Sequence, residues 1–187
     1  MIEKIVIGFV GLPGAGKTVA LESVLDLGEI ATLGNVVRQE ADSRNLLHTD
    51  ENLGLIGKEL RKEFGEDIVA RRLVEIVKAI PTKVIFIDGL RSMFEVEIFR
   101  NYWKFPIIAF VVDDKLRHER LMERGREDDS LNIDDLKERD NREIKYGLLD
   151  VIENANYKIN NDGTIEELQK KTRTIVELVI NDLSSSL

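Results

Sequence analysis

The sequence predicts a three-layer α/β fold in one compact domain, built on a mostly parallel five-stranded sheet. Short β-branched runs alternate with longer amphipathic stretches, as they do when helices cross over a parallel sheet. Three of those runs, 5–10 (IVIGFV), 84–87 (VIFI) and 107–112 (IIAFVV), are apolar almost without interruption, which suits strands buried on both faces. With 187 residues, 43% hydrophobic and 33% charged, the chain has the length and balance for one sizeable core.

The first strand, 5–10, leads into a helix over 18–27, and a second strand is expected at 30–33. Leu53, Ile56, Leu60 and Phe64 then recur at spacings of three and four, as do Leu73, Ile76, Val77 and Ile80, so two helices precede the third strand at 84–87. After it, Val96, Ile98, Phe99, Tyr102 and Trp103 read as core residues on the way to the fourth strand, 107–112. The fifth strand is expected at 157–159. Thr164 and Glu167 form a T-x-x-E capping box, so a last helix begins near Ile165, and its stripe of Leu168, Ile175, Leu178 and Val179 covers the sheet.

Composition removes several kinds of chemistry. The chain has no cysteine, which excludes disulfides, thiolate zinc clusters and cysteine nucleophiles. A net charge of -8 argues against a nucleic-acid partner, because binding a phosphate backbone depends on many Lys and Arg side chains. No run approaches the roughly 18 apolar residues of a membrane span, and the opening MIEK lacks the features of a secretion signal, so the expectation is a cytoplasmic protein without a membrane partner. His48 and His118 are far apart and poorly accompanied; both read as surface helix residues.

Directly after the first strand comes GLPGAGKT: Gly11, Leu12, Pro13, Gly14, Ala15, Gly16, Lys17 and Thr18. The glycines allow conformations closed to other residues, so backbone N–H groups can point inward around phosphate oxygens. The positive end of the following helix adds to this, Lys17 reaches the β and γ phosphates, and the Thr18 hydroxyl can coordinate magnesium. The plainer reading, a tight strand-to-helix turn, explains the glycines but not the lysine, the threonine and the flanking elements together. A carboxylate for the metal is expected at the end of another buried strand, and VIFIDG supplies Asp88 there. Since no N/T-K-x-D guanine-reading motif occurs, the expected donor is ATP, with Mg2+.

Arginines come next. Arg38 in GNVVRQE and Arg91 in DGLRS fall near the carboxyl ends of strands, where open α/β sheets bind ligands. Arg117, Arg120 and Arg124 share one helical face, with Arg126, Arg139 and Arg142 further on. Some of these must be solvated, since Glu119, Glu123, Glu127, Asp128 and Asp129 interleave with them. Arg124 and Arg126 are assigned to closing over the γ-phosphate, Arg120 to the ATP side, and Arg38 and Arg91 to an acceptor.

GLPGAGKT, VVR, DGLR and RGREDD resemble the adenylate kinase-type nucleoside monophosphate kinases, in which the matching segments bind ATP phosphates, hold the acceptor nucleotide and form a lid. ANYKINNDGTIEEL is similar to the end of dephospho-coenzyme A kinases, a resemblance that implies Asn160, Asn161 and Gly163 beside the donor base. The chain as a whole resembles an archaeal family of phosphate-loop ATP-binding proteins grouped with both. Two departures stand out. Leu90 precedes Arg91 where adenylate kinases carry proline, and Gly34 and Asn35 stand where dephospho-coenzyme A kinases carry an aspartate resembling a general base.

The expectation is therefore a phosphate-loop NTPase fold of the nucleotide kinase-like kind, a single domain over 1–187 with an acceptor-binding helical segment at 35–80 and a lid-like segment at 120–145. The expected activity is phosphoryl transfer from ATP to a small phosphorylated acceptor, since an acceptor phosphate needs cations rather than a base. Dephospho-coenzyme A kinase, an ATP-dependent switch and a module that binds ATP without turnover are the alternatives. Oligomeric state is not legible.

Overall fold

The computed structural model describes residues 3–124 and 132–185 and contains one five-stranded sheet in the order β2-β3-β1-β4-β5, every neighbouring pair parallel. The strands are β1 (Ile5–Val10), β2 (Glu29–Thr32), β3 (Val84–Asp88), β4 (Ile107–Val111) and β5 (Tyr157–Asn160). β2 ends one residue earlier than the sequence suggests, because Leu33 opens the next helix.

The apolar strands are explained by two cores. Val6 and Val10 join Ile85, Ile87, Ile107 and Ala109 on one face, while Ile5, Ile7 and Phe9 join Phe86, Ile108 and Phe110 on the other. A strand sends successive side chains to opposite faces, so a sheet covered on both sides needs apolar residues at every position. On the second face the ring of Phe9 lies 5.4 Å from Phe86 and 5.6 Å from Phe110.

Helices α1 (Lys17–Glu22) and α9 (Ile165–Ser184) cover that second face with Ala20, Leu21, Leu168, Val176 and Val179. The first face is covered from α2 (Leu33–Ser43), α3 (Asp50–Phe64), α4 (Ile68–Ala79), α5 (Met93–Arg100) and α8 (Leu148–Glu153). Helix α6 (Asp114–Arg124) follows the carboxyl end of β4, and α7 (Ile133–Lys145) precedes α8. The starts are set by local chemistry: Thr49, Ser92 and Asn132 accept backbone N–H bonds as caps, and Thr164 with Glu167 completes the capping box.

Several expectations are corrected. α1 is shorter than 18–27, and three helices rather than two link β2 to β3, because GNVVRQE is itself helical and carries Arg38 inside α2. Phe64, Tyr102 and Leu178 are 45%, 51% and 47% exposed rather than core. Phe64 ends α3 under the guanidinium of Arg72, and Tyr102 lies beside the Lys78 ammonium, so each aromatic has a cationic cover in place of apolar packing. Phe99 does enter the core, stacked on Phe105 at 4.8 Å. Among the described residues no helix is long and apolar enough to cross a membrane.

Candidate functional site

β1 lies between β3 and β4, so the connections that leave β1 and β3 diverge and a crevice opens at their carboxyl ends. Residues 11–18 form one wall of it. Gly14 and Gly16 have φ of 81° and 95°, in the left-handed region. A Cβ on Gly14 would stand 2.8 Å from the side chains of Arg117 and Leu121, and one on Gly16 would stand 2.3 Å from the amide nitrogen of Asn161. Only glycine tolerates both the conformation and the crowding.

Asn161 is 5% exposed, and its side-chain amide donates to the Ala15 carbonyl at 3.0 Å. The side chain thus braces the loop from behind. The parallel ladder explains this, since the Asn161 N–H donates to Val111 O at 2.8 Å and fixes how far the chain runs past β4. Arg120 donates to the carbonyls of Asn161 (2.8 Å) and Gly163 (3.2 Å), tying α6 to the same turn.

Lys17 Nζ donates to Gly11 O at 2.6 Å across the mouth of the loop. The residue is half-buried. Loss of hydration holds its pKa below the ordinary lysine value, opposed by Asp88 and Glu143 and assisted by Arg139 and Arg91. Those four charges come from β3, the loop after it, and α7. Oδ1 of Asp88 is buried and has no hydrogen-bond partner, one of two such side-chain atoms among the described residues. An orphaned carboxylate oxygen at the end of β3 fits a cation held between protein and phosphates, since Mg2+ commonly takes one or two carboxylates plus phosphate oxygens. Thr18, next in sequence to Lys17, is exposed at the start of α1. Among the described residues no cluster of three or more His, Asp or Glu residues offers an all-protein metal site.

The opposite wall is a network that sequence reading did not find. Arg91 Nε pairs with Glu143 of α7 at 3.1 Å, and its guanidinium lies 5.6 Å from the ring centre of Tyr146. Arg61 of α3 lies over the same ring at 5.3 Å and donates to Glu95 of α5 at 2.9 Å. Glu95 is fully buried, and its other oxygen accepts the Arg91 N–H at 2.8 Å. Burial pushes the Glu95 carboxyl up, against the pull of Arg61.

Lys17, Asp88 and Arg91 are thus brought together, whereas Arg38 is not among the charges around Lys17; its guanidinium is held by Asn35 Oδ1 at 2.7 Å. Arg117, which has no role assigned from sequence, is held inside the protein. It is 2% exposed, and its guanidinium binds both oxygens of Asp140, as well as Asp114 and the Pro13 carbonyl. His118 is half-buried against the same Asp140 rather than on the surface, and His48 pairs with Asp42 in the loop before α3. Arg142 is exposed on α7, while Arg139 and Glu143 turn inward. Arg139 and Glu143 are one helical turn apart, a spacing that could have revealed Glu143 once Arg139 was suspected. The side chain of Arg124 and all of Arg126 lie outside the described residues.

Comparison with known proteins agrees with this geometry. Residues 10–137 match the AAA domain family. A UPF0200 protein of Methanothrix thermoacetophila is 41% identical over 178 residues, covering 92% of this chain and 96% of that protein. A UPF0200/UPF0201 protein of Archaeoglobus fulgidus is 39% identical over 181 residues, but the chain spans only 56% of its length. Among solved structures, TT1252 from Thermus thermophilus superposes with a TM-score of 0.65 at 16% identity, covering 94% of this chain and 97% of that one. Shikimate kinase from Bacteroides thetaiotaomicron gives 0.58 at 17% identity, covering 92% and 98%. At such identities the likeness is one of fold, a phosphate-loop kinase-like α/β domain, which the sequence predicts. The chain belongs to the archaeal UPF0200 family, and it carries an AAA domain over residues 10–137.

Proposed function

We propose that this protein transfers the γ-phosphoryl group of ATP to a small phosphorylated acceptor, a nucleotide or a molecule like one. One arrangement carries the reading: at the carboxyl end of the sheet Lys17 closes on Gly11 O, Asp88 holds a buried oxygen without a partner, and Arg91 is paired with Glu143 of α7, with Asp88, Glu143, Arg139 and Arg91 all acting on the Lys17 charge. Phosphoryl transfer leaves the protein little covalent work. Catalysis lies in aligning two anions and offsetting their charge.

In this scheme the backbone amides of 11–18 cradle the β and γ phosphates. The Lys17 ammonium, poorly hydrated where it stands, acts on the γ-phosphate with little screening. Thr18 and Asp88 would hold Mg2+, which would offset the negative charge of the phosphates. Arg91 takes the acceptor phosphate, with Arg38 reaching in from α2, and Arg120, Arg124 and Arg126 serve the donor side. The acceptor oxygen is already a nucleophile, so no strong base is required.

The test is ADP formation from Mg-ATP against a panel of nucleoside monophosphates and dephospho-coenzyme A, with wild type and Lys17→Ala. Lys17-dependent ADP formation stimulated by one phosphorylated acceptor is expected. Slow turnover indifferent to every acceptor would favour an ATP-dependent switch instead.

A further inference from the structure

Arg91 is an unusual ligand-binding candidate because its backbone is fixed and its side chain is already engaged. Its N–H is held by Glu95, which is fully buried and tied to Arg61, so the loop after β3 cannot easily shift. Its side chain has a choice. The Arg91 side chain is 43% exposed, while the Glu143 side chain that holds it is 17% exposed. A ligand arriving from solvent therefore meets the cation first. Tyr146 supports the guanidinium in either state, because contact with a ring face does not occupy the N–H donors.

We infer that Glu143 is a specificity-determining residue of the acceptor end: it holds Arg91 while that end is empty, and an acceptor gains entry only by offering a phosphate in its place. The inference rests on the transfer reading above. Its chemistry is an exchange of anions on one guanidinium. The present contact runs from Nε to a single carboxylate oxygen at 3.1 Å, whereas a phosphate can engage two donors of the planar fork and brings up to two charges. A phosphate thus replaces what it displaces. A neutral hydroxyl acceptor offers nothing to compensate for the lost ion pair, and it is excluded by the contact it would break. Glu143 in this role is a positioning residue, acting through Arg91.

The experiment titrates inorganic phosphate by calorimetry into protein saturated with Mg-ADP, using wild type, Glu143→Gln and Arg91→Gln, with thermal melting as a check on folding. Glu143→Gln is expected to bind phosphate roughly three- to tenfold more tightly, since Arg91 no longer has a competing anion, and Arg91→Gln is expected to lose that binding. A purely structural role for Glu143 would weaken binding, not strengthen it. Phosphate affinity unchanged or reduced in Glu143→Gln, or unchanged in Arg91→Gln, overturns the inference. If Glu143→Gln does not fold, Glu143→Asp replaces it: the carboxylate withdraws by one methylene, binding about twofold tighter is expected, and wild-type affinity contradicts the inference. A protein that orders phosphate affinities as expected yet makes no ADP with any acceptor supports the exchange and overturns the transfer reading.

Discussion

Arg117 of α6 and Asp140 of α7 meet in a two-pronged ion pair, with Nη1 to Oδ1 at 2.9 Å and Nη2 to Oδ2 at 2.6 Å, and the same guanidinium reaches the Pro13 carbonyl at 3.0 Å. One buried side chain thereby joins the phosphate loop to two helices. Replacing it by alanine leaves Asp140, 7% exposed, without its main partner, and breaking one half of a buried pair costs about 3 kcal/mol. Arg117→Ala is expected to lose that much in denaturant unfolding and also to bind ATP more weakly. Arg117→Lys should restore little, because an ammonium cannot reproduce the planar fork. Wild-type ATP affinity in a destabilised Arg117→Ala would separate the staple from the loop.

The loop makes its own prediction. Gly16→Ala combines a φ of 95° with a methyl group 2.3 Å from the amide of Asn161, so the brace on Ala15 must move. Nucleotide affinity, measured with a fluorescent ATP analogue, is expected to be lost while the fold persists. Unimpaired binding would mean that this stretch is a turn only.

Loss of hydration disfavours the charged form of Lys17, and removing the side chain relieves that cost. Lys17→Met is expected to gain about 1 kcal/mol in stability while losing ATP turnover, the usual trade at functional sites. The sign with pH follows. The folded-state pKa is depressed below 10.5, so between the two values the unfolded chain binds more protons and wild-type stability rises with pH. The advantage of Lys17→Met therefore shrinks as pH climbs toward 10.5. An advantage that grows with pH would contradict this account of the lysine.

Glu95 anchors both Arg61 and the Arg91 backbone from a position with no solvent exposure. Glu95→Ala strands the Arg61 guanidinium, 9% exposed, and is expected to cost about 3 kcal/mol in chemical unfolding. A change below about 0.5 kcal/mol, the range typical of surface substitutions, would show that the network does not hold the site together.

Much of this was legible in the residues. IVIGFV, VIFI and IIAFVV read as buried strands because two-sided burial leaves no polar position, and GLPGAGKT read as a loop between a strand and a helix with Asp88 closing another buried strand. The network around Arg91 was not legible. Glu143, Glu95, Arg61 and Tyr146 are ordinary helix residues in sequence, and only the packing of α3, α5 and α7 turns them toward Arg91. Arg117 was undistinguished in sequence for the same reason: helical spacing placed it beside Arg120 on one face but could not show that Asp140 would draw it inside.

The central claim is tested most directly by following the labelled γ-phosphate of ATP in wild type, Lys17→Ala and Asp88→Asn, with phosphorylated acceptors present. The account predicts label in the acceptor, dependent on both residues. Label released only as free phosphate, at a rate no acceptor alters, would contradict it.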